Sequence, residues 1–508
     1  MDTASNSAEQ YTNLRLNDLS LIPNWYPHEF PRTRTLKTYR EFYSEIGNNE
    51  IINVVESVAG RIEFIRSAGS KIYFIMIESN GIYLQVLANM KHYLDQQHFE
   101  TIMRVLRRGD IIGATGYPTR SAKGELSILP TNVVLLAPCM HCIPKSQSGF
   151  SDVGLRFQQR YLDLMMRPAN RQIIKTRAFV NKFIRKYLDD RDFIEVETPI
   201  ICGKTGGANA QPFITHHNDL DKKMAMRIAP ELFLKQLIIG GFERIYELGK
   251  QFRNESINFS HSPEFSSIEI YQAYADYTNM LQLIEELLSS LVMELNGSYI
   301  LKYDMTNDLT KECVSVEIDF TPPFKRFNLI TDLEIYAGFT FPKEILEDFG
   351  SDNARNFLID ICARLNVECS NPKTTARLLD KLVGAFLEPK CINPTFIMFH
   401  PQIMSPLAKY HRDNKFLTER FELFIVQMEF ANAYTELNDP SVQKKCFINQ
   451  AVDRENGDDE AQIPDDDYIK ALEYGLPPTS GLGIGMDRLI MLLTNQSSIR
   501  EVITFRPY

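Results

Sequence analysis

From Ile51 to about residue 140, apolar and polar positions alternate in short runs. IINVVESVAGRIEFIRS is one such run. KIYFIMIES and GIYLQVLA lie on either side of Asn80-Gly81, a pair suited to a tight hairpin turn. Arg108-Gly109-Asp110 leads into IIGATGYPT, and Lys123-Gly124 turns into ELSILP. Five short strands with one helical insert near 91–107 predict a small barrel of the OB type. Residues 1–50 read as a helical or irregular lead, with breaks at Pro23, Pro27 and Pro31. APCMHCIPKSQSGFSD (137–152) has the composition of a connecting stretch. The period then changes. Ile173, Val180, Ile184 and Leu188 are mostly three to four apart, which predicts a long amphipathic helix, and a strand ending in VETPI follows. The expected class is α+β: a lead over 1–50, a five-stranded barrel over 51–140, a linker over 141–165 and one large domain over 166–508.

Length supports more than one core, since 508 residues exceed what a single core holds. The 44 % apolar and 24 % charged fractions are those of a globular protein. No run of 18 apolar residues occurs, so no membrane span is expected. The opening MDTASNSAEQYTN has neither an apolar stretch nor a basic start, so neither a secretory signal nor an Arg-rich transit peptide is expected. Eight scattered cysteines suggest a reducing cytoplasm rather than a disulfide framework. The net charge of −10 argues mildly against a nucleic-acid partner. Yet residues 61–130 hold nine Lys and Arg against six Asp and Glu, so the barrel is a small basic body on an acidic chain.

Three segments carry chemistry. In ERIYELGKQFRNESINFSHSPEFSSIEIYQAYADY (243–277), two strand-like runs flank a polar loop. Arg253 there can grip a phosphate and a carboxylate through its planar fork, and Phe265 can stack on a base; a salt-bridged hairpin is the plainer reading. In SGLGIGMDRLIMLL (480–493), Gly481, Gly483 and Gly485 allow close backbone approach before Arg488 opens a helix. The G-x-G-x-G spacing does not fit a dinucleotide fingerprint, and a Gly-rich strand packed on a helix is the alternative. In RFELFIVQMEFANAYTELNDP (420–440), Glu422 and Glu429 could hold Mg²⁺ beside a triphosphate, or be solvated strand charges. Asn432, Tyr434 and Glu436 share a face if that segment is extended.

Together and in this order, the segments resemble the signature motifs of class II aminoacyl-tRNA synthetases. FIRKYLDDRDFIEVETPI (183–200) is similar to the first motif, FRNES with HSPEF to the second, and GLGIGMDRL to the third. KTGGANAQPF (204–213), RIAPELFLKQ (227–236), NPTFIMFHPQIMSPLAKYHR (393–412), NAYTELNDP (432–440) and ALEYGLPPTSG (471–481) narrow the resemblance to the lysine-specific members of eukaryotic cytoplasmic type, over roughly 50–505.

The resemblance implies a catalytic domain built on an antiparallel sheet flanked by helices, and a barrel that reads the anticodon. It implies that ATP is a substrate, contacted by Arg253, Glu255, His261, Phe265 and Arg488, with Arg253 and Arg488 as the catalytic pair. Glu422 and Glu429 would hold Mg²⁺. L-lysine would be bound by Gly207, Glu231, Glu269, Tyr271, Asn432, Tyr434 and Glu436, with Glu231 and Gly207 at its α-amino group and Glu436 and Tyr271 at its ε-ammonium. Arg66, Phe74, Gln85 and Glu125 are the anticodon candidates for tRNA(Lys). A homodimer joined through the first motif is implied, acting in the cytoplasm. A buried ammonium requires an anionic partner and further acceptors, which two Glu and a Tyr supply. Two other readings remain: a non-catalytic tRNA-binding or scaffold protein on the same fold, and a relative that attaches lysine to a protein. The first would normally have lost Arg253, Arg488 or the Glu pair, and the second lacks the barrel. Cys139-Met-His141-Cys142 looks like half a zinc site, but no second pair follows and none is expected to form. The acidic stretch 456–467 lacks calcium-loop spacing and reads as a solvated hairpin.

Overall fold

A computed structural model describes residues 2–144, 150–204, 206–208, 210–306, 313–458 and 461–505. Thr205 and Asn209 of the KTGGANAQPF segment lie outside these, as do residues 459–460 of the acidic stretch. The chain forms two compact units, residues 1–168 and 169–508.

The first unit begins with helices Asp2–Leu19 (α1) and Leu36–Phe42 (α2). Strands Glu56–Ser67 (β1), Ile72–Ser79 (β2), Ile82–Asn89 (β3), Ile111–Arg120 (β4) and Leu126–Ala137 (β5) close into a barrel in the order β1-β2-β3-β5-β4. Helix Gln96–Val105 (α3) sits between β3 and β4, started by Asp95, whose carboxylate accepts from His98 N at 3.0 Å. The β2–β3 turn is Asn80-Gly81 with φ of 55° and 86°, as a two-residue hairpin requires. Strand alternation sends Ile75, Ile77, Leu84, Val86 and Ala88 inward and Phe74 and Gln85 to the other face. The residues of the sequence's lead are not a separate body. Leu19, Ile22, Leu36, Tyr39 and Tyr43 share the barrel's core. Arg15 of α1 is buried and donates to both oxygens of Asp110 at 2.7 and 2.6 Å, which ties the helix to the start of β4.

Helix Pro168–Asp189 (α4) leads into the second unit, where Ile173, Val180, Ile184 and Leu188 all face the core. Each such side chain contributes about 1.5–3 kcal/mol over an exposed one. Strand Ile194–Glu195 (β6), helix Glu231–Ile239 (α5), strands Arg244–Phe252 (β7) and Glu264–Ala273 (β8) and helix Tyr277–Asn296 (α6) follow. Strands Lys325–Asn328 (β9), Thr395–Met398 (β10), Arg420–Ile425 (β11), Met428–Thr435 (β12) and Thr479–Gly485 (β13) and helix Met486–Leu493 (α7) complete the frame. The eight strands form one sheet, ordered β9-β10-β11-β12-β13-β8-β7-β6. Only the outermost pairs, β9/β10 and β7/β6, are parallel; the six strands between are antiparallel. Helices α4, α6 and α7 share an apolar core with this sheet. Residues between β9 and β10 form a helical insertion with its own core around Leu333, Leu358 and Leu379. Among its described residues, the acidic stretch shows no strands of a hairpin. Its described residues join helix Pro440–Glu455 to helix Asp466–Leu472, and Asp458 is held by Arg377 at 2.7 Å. Among the described residues, no helix is long and apolar enough to cross a membrane.

Candidate active site

Two rows of directly paired residues cross the middle of the antiparallel sheet. One runs Glu422 (β11), Asn432 (β12), Gly483 (β13), Glu269 (β8) and Glu247 (β7). Two residues along, the other runs Arg420, Tyr434, Gly481, Tyr271 and Ile245. Residues directly opposite in antiparallel strands point to one face, and so do positions two apart. The rows therefore gather distant segments onto one surface. A cavity of about 390 Å³ opens there, lined by Gly207, Glu231, Arg253, Glu255, His261, Phe265, Glu269, Tyr271, Glu429, Asn432, Tyr434 and Arg488. Gly481, Gly483 and Gly485 line it too, so fifteen residues singled out in the sequence share one hollow.

Glu429 reaches it through a β-bulge. Leu423 pairs with Ala431 but Phe424 with Glu429, so Phe430 is an extra residue in β12. Regular alternation over the three positions from Asn432 would turn Glu429 to the opposite face.

Arg253, Phe265, His261 and Arg488 occupy one end. The Arg253 guanidinium lies over the Phe265 ring, 5.0 Å from its centroid. Arg488, in the first turn of α7, donates to Glu429 O at 2.6 Å and reaches His261 Nε2 at 2.9 Å. Burial, then Arg488 and Arg253, lower the pKa of His261. Glu422, paired with Asn432 across β11 and β12, is not among the lining residues. Its oxygens meet Arg420 at 2.5 Å and His400 at 3.2 Å. Burial opposes its ionisation, but Arg420 and His400 win and bring its pKa down to about 2. Glu429 goes the other way, raised by burial and by the charge of Glu422.

At the other end, Glu231 Oε1 accepts from Tyr434 OH at 2.6 Å and pairs with Lys235 Nζ at 2.6 Å. Gly207 has φ of +87°, and a Cβ there would lie 2.8 Å from Glu231 Cβ, so only glycine fits. Tyr271 OH donates to Glu269 Oε2 at 3.1 Å. Burial and then Glu231 raise the pKa of Glu269 to about 8. Glu436 is buried behind Gly481 and pairs with Lys235.

The first unit carries the remaining candidates. Arg66 and Phe74 pair directly across β1 and β2, so they share the barrel's outer face, where Arg66 is exposed. Gln85 is buried and donates to Ser127 Oγ at 3.0 Å. Glu125 is half-exposed, 3.6 Å from Arg40.

Sequence reasoning missed Lys235, Arg420 and His400. Arg420 shares a strand face with Glu422, and Lys235 stands four after Glu231 on a helix. Those spacings were visible, but both patterns usually mark surface ion pairs. His400 had no pattern. Cys139, His141 and Cys142 form no metal cluster, and among the described residues no group of three or more His, Cys, Asp or Glu is placed to hold a metal.

The family described as tRNA synthetases class II (D, K and N) matches residues 152–507. The chain belongs to it. The similarity to individual relatives extends beyond that domain. The chain is 46 % identical to lysine–tRNA ligase cla4 of Cladosporium cladosporioides, over 99 % of this chain and 85 % of that protein. It is 42 % identical to a probable cytoplasmic lysine–tRNA ligase of Encephalitozoon cuniculi (strain GB-M1), over 94 % of this chain and 92 % of the other. A lysine–tRNA ligase of Thermotoga sp. (strain RQ2) is 42 % identical over 98 % of this chain and 95 % of its own length.

Proposed function

We propose that this class II synthetase is a lysine–tRNA ligase: it activates L-lysine with ATP to lysyl-adenylate and transfers the lysyl group to the 3′ end of tRNA(Lys). One observation carries the reading. A single cavity has Arg253, Phe265 and Arg488 at one end and the carboxylates of Glu231 and Glu269 at the other. The first suits a nucleoside triphosphate; the second suits an amino acid with two ammonium groups. The names of the relatives point the same way.

The substrate carboxylate is already ionised, so the first step needs little acid–base chemistry. It attacks the α-phosphorus in line and pyrophosphate leaves. Arg253 holds the carboxylate and α-phosphate together, and Arg488 neutralises the outer phosphates. Glu255 reads the adenine amino group, Phe265 and Arg488 enclose the ring, and neutral His261 lies by the phosphates. Glu231 and the backbone at Gly207 take the α-ammonium, and Asn432 assists the carboxylate. Glu436, Tyr271, Glu269 and Tyr434 surround the ε-ammonium. In the second step the terminal ribose 3′ hydroxyl attacks the mixed anhydride and AMP leaves.

Glu422 and Glu429 would hold Mg²⁺. Burial and then the charge of Glu422 raise the pKa of Glu429, although Arg488 lies 3.7 Å from its carboxylate. Two carboxylates with phosphate oxygens suit an ion that seldom uses an all-protein cage. Bound there, Mg²⁺ would offset negative charge on the triphosphate.

Arg66 and Phe74, paired across β1 and β2, would meet unpaired anticodon bases by hydrogen bonding and stacking, with Gln85 and Glu125 as further candidates. A homodimer accounts for Ile194, Ile200, Ile201 and Ile214, all exposed around the first motif. A cytoplasmic setting fits eight free cysteines and the names of two relatives.

The test is lysine-dependent exchange of labelled pyrophosphate into ATP, with lysine, ornithine, arginine and aspartate assayed separately, then charging of tRNA(Lys). Lysine alone should support strong exchange. Exchange with aspartate and none with lysine would defeat the reading.

A further inference from the structure

Lys235 is completely buried, yet it lies among the acids assigned above to the substrate. It stands one helical turn after Glu231 on α5. Its Nζ lies 2.6 Å from Glu231 Oε1, forms a close ion pair with Glu436 Oε2, and lies 5.5 Å from the centroid of the Tyr434 ring. Each glutamate therefore gives one oxygen to Lys235 and keeps the other. Glu231 faces the cavity. Glu436 Oε1 has no hydrogen-bond partner and abuts Gly481 on the cavity wall. Lys235 thus approaches from the far side of both acids.

Charge points the same way. Glu231, Glu269 and Glu436 give three negative charges when ionised, and Lys235 removes one. Two remain, matching two ammonium groups on the substrate. Buried charges left unmatched are strongly unfavourable, so a fixed internal cation is a means of setting the pocket's balance.

We propose that Lys235 is a positioning residue for substrate selection: an internal ammonium that aims Glu231 and Glu436 at the two ammonium groups of lysine and leaves the pocket two negative charges. This rests on the lysine-activating reading. It deepens that reading by adding a residue that touches no substrate atom.

The test uses the full chain with Lys235→Met, which keeps length and removes charge. Lysine KM and ATP KM are measured by pyrophosphate exchange. Two competitors lacking one ammonium each, 6-aminohexanoate and norleucine, are measured as inhibitors. The lysine KM should rise about tenfold or more while the ATP KM stays within about twofold, because the defect lies in the acids alone. Each competitor should lose only about threefold, since each uses one of the two misaimed carboxylates. A lysine KM within about twofold of the parent, or equal losses for lysine and both competitors, would overturn the proposal. If Lys235→Met does not fold, Lys235→Gln carries the same comparison; unfolding of both would make Lys235 a structural cation only and overturn it. The parent's own exchange with lysine tests the underlying reading separately.

Discussion

Arg488 presents Nη2 to His261 Nε2 at 2.9 Å. A guanidinium can only donate, so the facing imidazole nitrogen must accept. Nδ1 then carries the proton, toward Asn258 Oδ1 at 2.9 Å. In the ligand-free protein His261 is therefore neutral, held below its ordinary range by burial, Arg488 and Arg253. The folded state binds its proton less readily than the unfolded chain, so this group destabilises the fold as pH falls through about 6.5. Imidazole NMR should show His261 titrating below that pH, and Arg488→Ala should move the transition upward.

Arg253 has a different signature. It is preorganised over Phe265 and shares the cavity with Glu255, Glu269 and Glu429. Arg253→Ala should lower kcat for pyrophosphate exchange by about 10²–10³-fold, the scale for losing one preorganised charge-stabilising group. Circular dichroism should remain that of the parent. A variant with parental kcat would remove Arg253 from the chemistry.

Lysine binding should depend on pH through Glu269. Burial and Glu231 raise its pKa to about 8, so the ligand-free pocket holds a proton there at neutral pH. An arriving ammonium favours the ionised form, so binding releases that proton. The lysine KM should fall as pH rises from about 6.5 to 8.5, by up to about tenfold per unit below the pKa. The stability effect has the opposite sense. The folded state retains a proton that the unfolded chain loses near pH 4.5, so this group's contribution falls as pH rises between the two values. Glu269→Gln should flatten both dependences, and a lysine KM that stays level in the parent would contradict the assignment.

Gly481 sits between Tyr434 and Tyr271 in its row, and a Cβ there would lie 2.5 Å from Tyr271 Cε1 and closer still to Glu436 Oε1. Both neighbours are buried. Gly481→Ala should raise the lysine KM by about tenfold or more, with the ATP KM nearly unchanged. Equal damage to both would place Gly481 in the general scaffold instead.

Much of this architecture was legible in the chain. The alternation in 51–140 and the Asn80-Gly81 turn marked the barrel strands, because local geometry decides both. The buried face of α4 followed from Ile173, Val180, Ile184 and Leu188. Motif resemblance brought forward the cavity's acids and arginines. What alternation could not show was the bulge at Phe430, since an extra residue in one strand is defined only by its partner. Simple alternation from Asn432 would have turned Glu429 away. Lys235 stayed hidden for a related reason: a Glu and a Lys four apart normally face water, and only Glu436, just past the end of β12, turns this pair into a buried cluster.

The paired rows also bear on how substrate preference can be rewritten. They are neighbouring rungs on one ladder, set apart by the backbone repeat of about 6.6 Å. Tyr271 donates to Glu269 across the two rungs, so a change on the Tyr434–Gly481–Tyr271 rung is felt on the Asn432–Gly483–Glu269 rung. A family whose description spans D, K and N has need of such a frame. Redesign toward a new amino acid would have to treat the two rungs together.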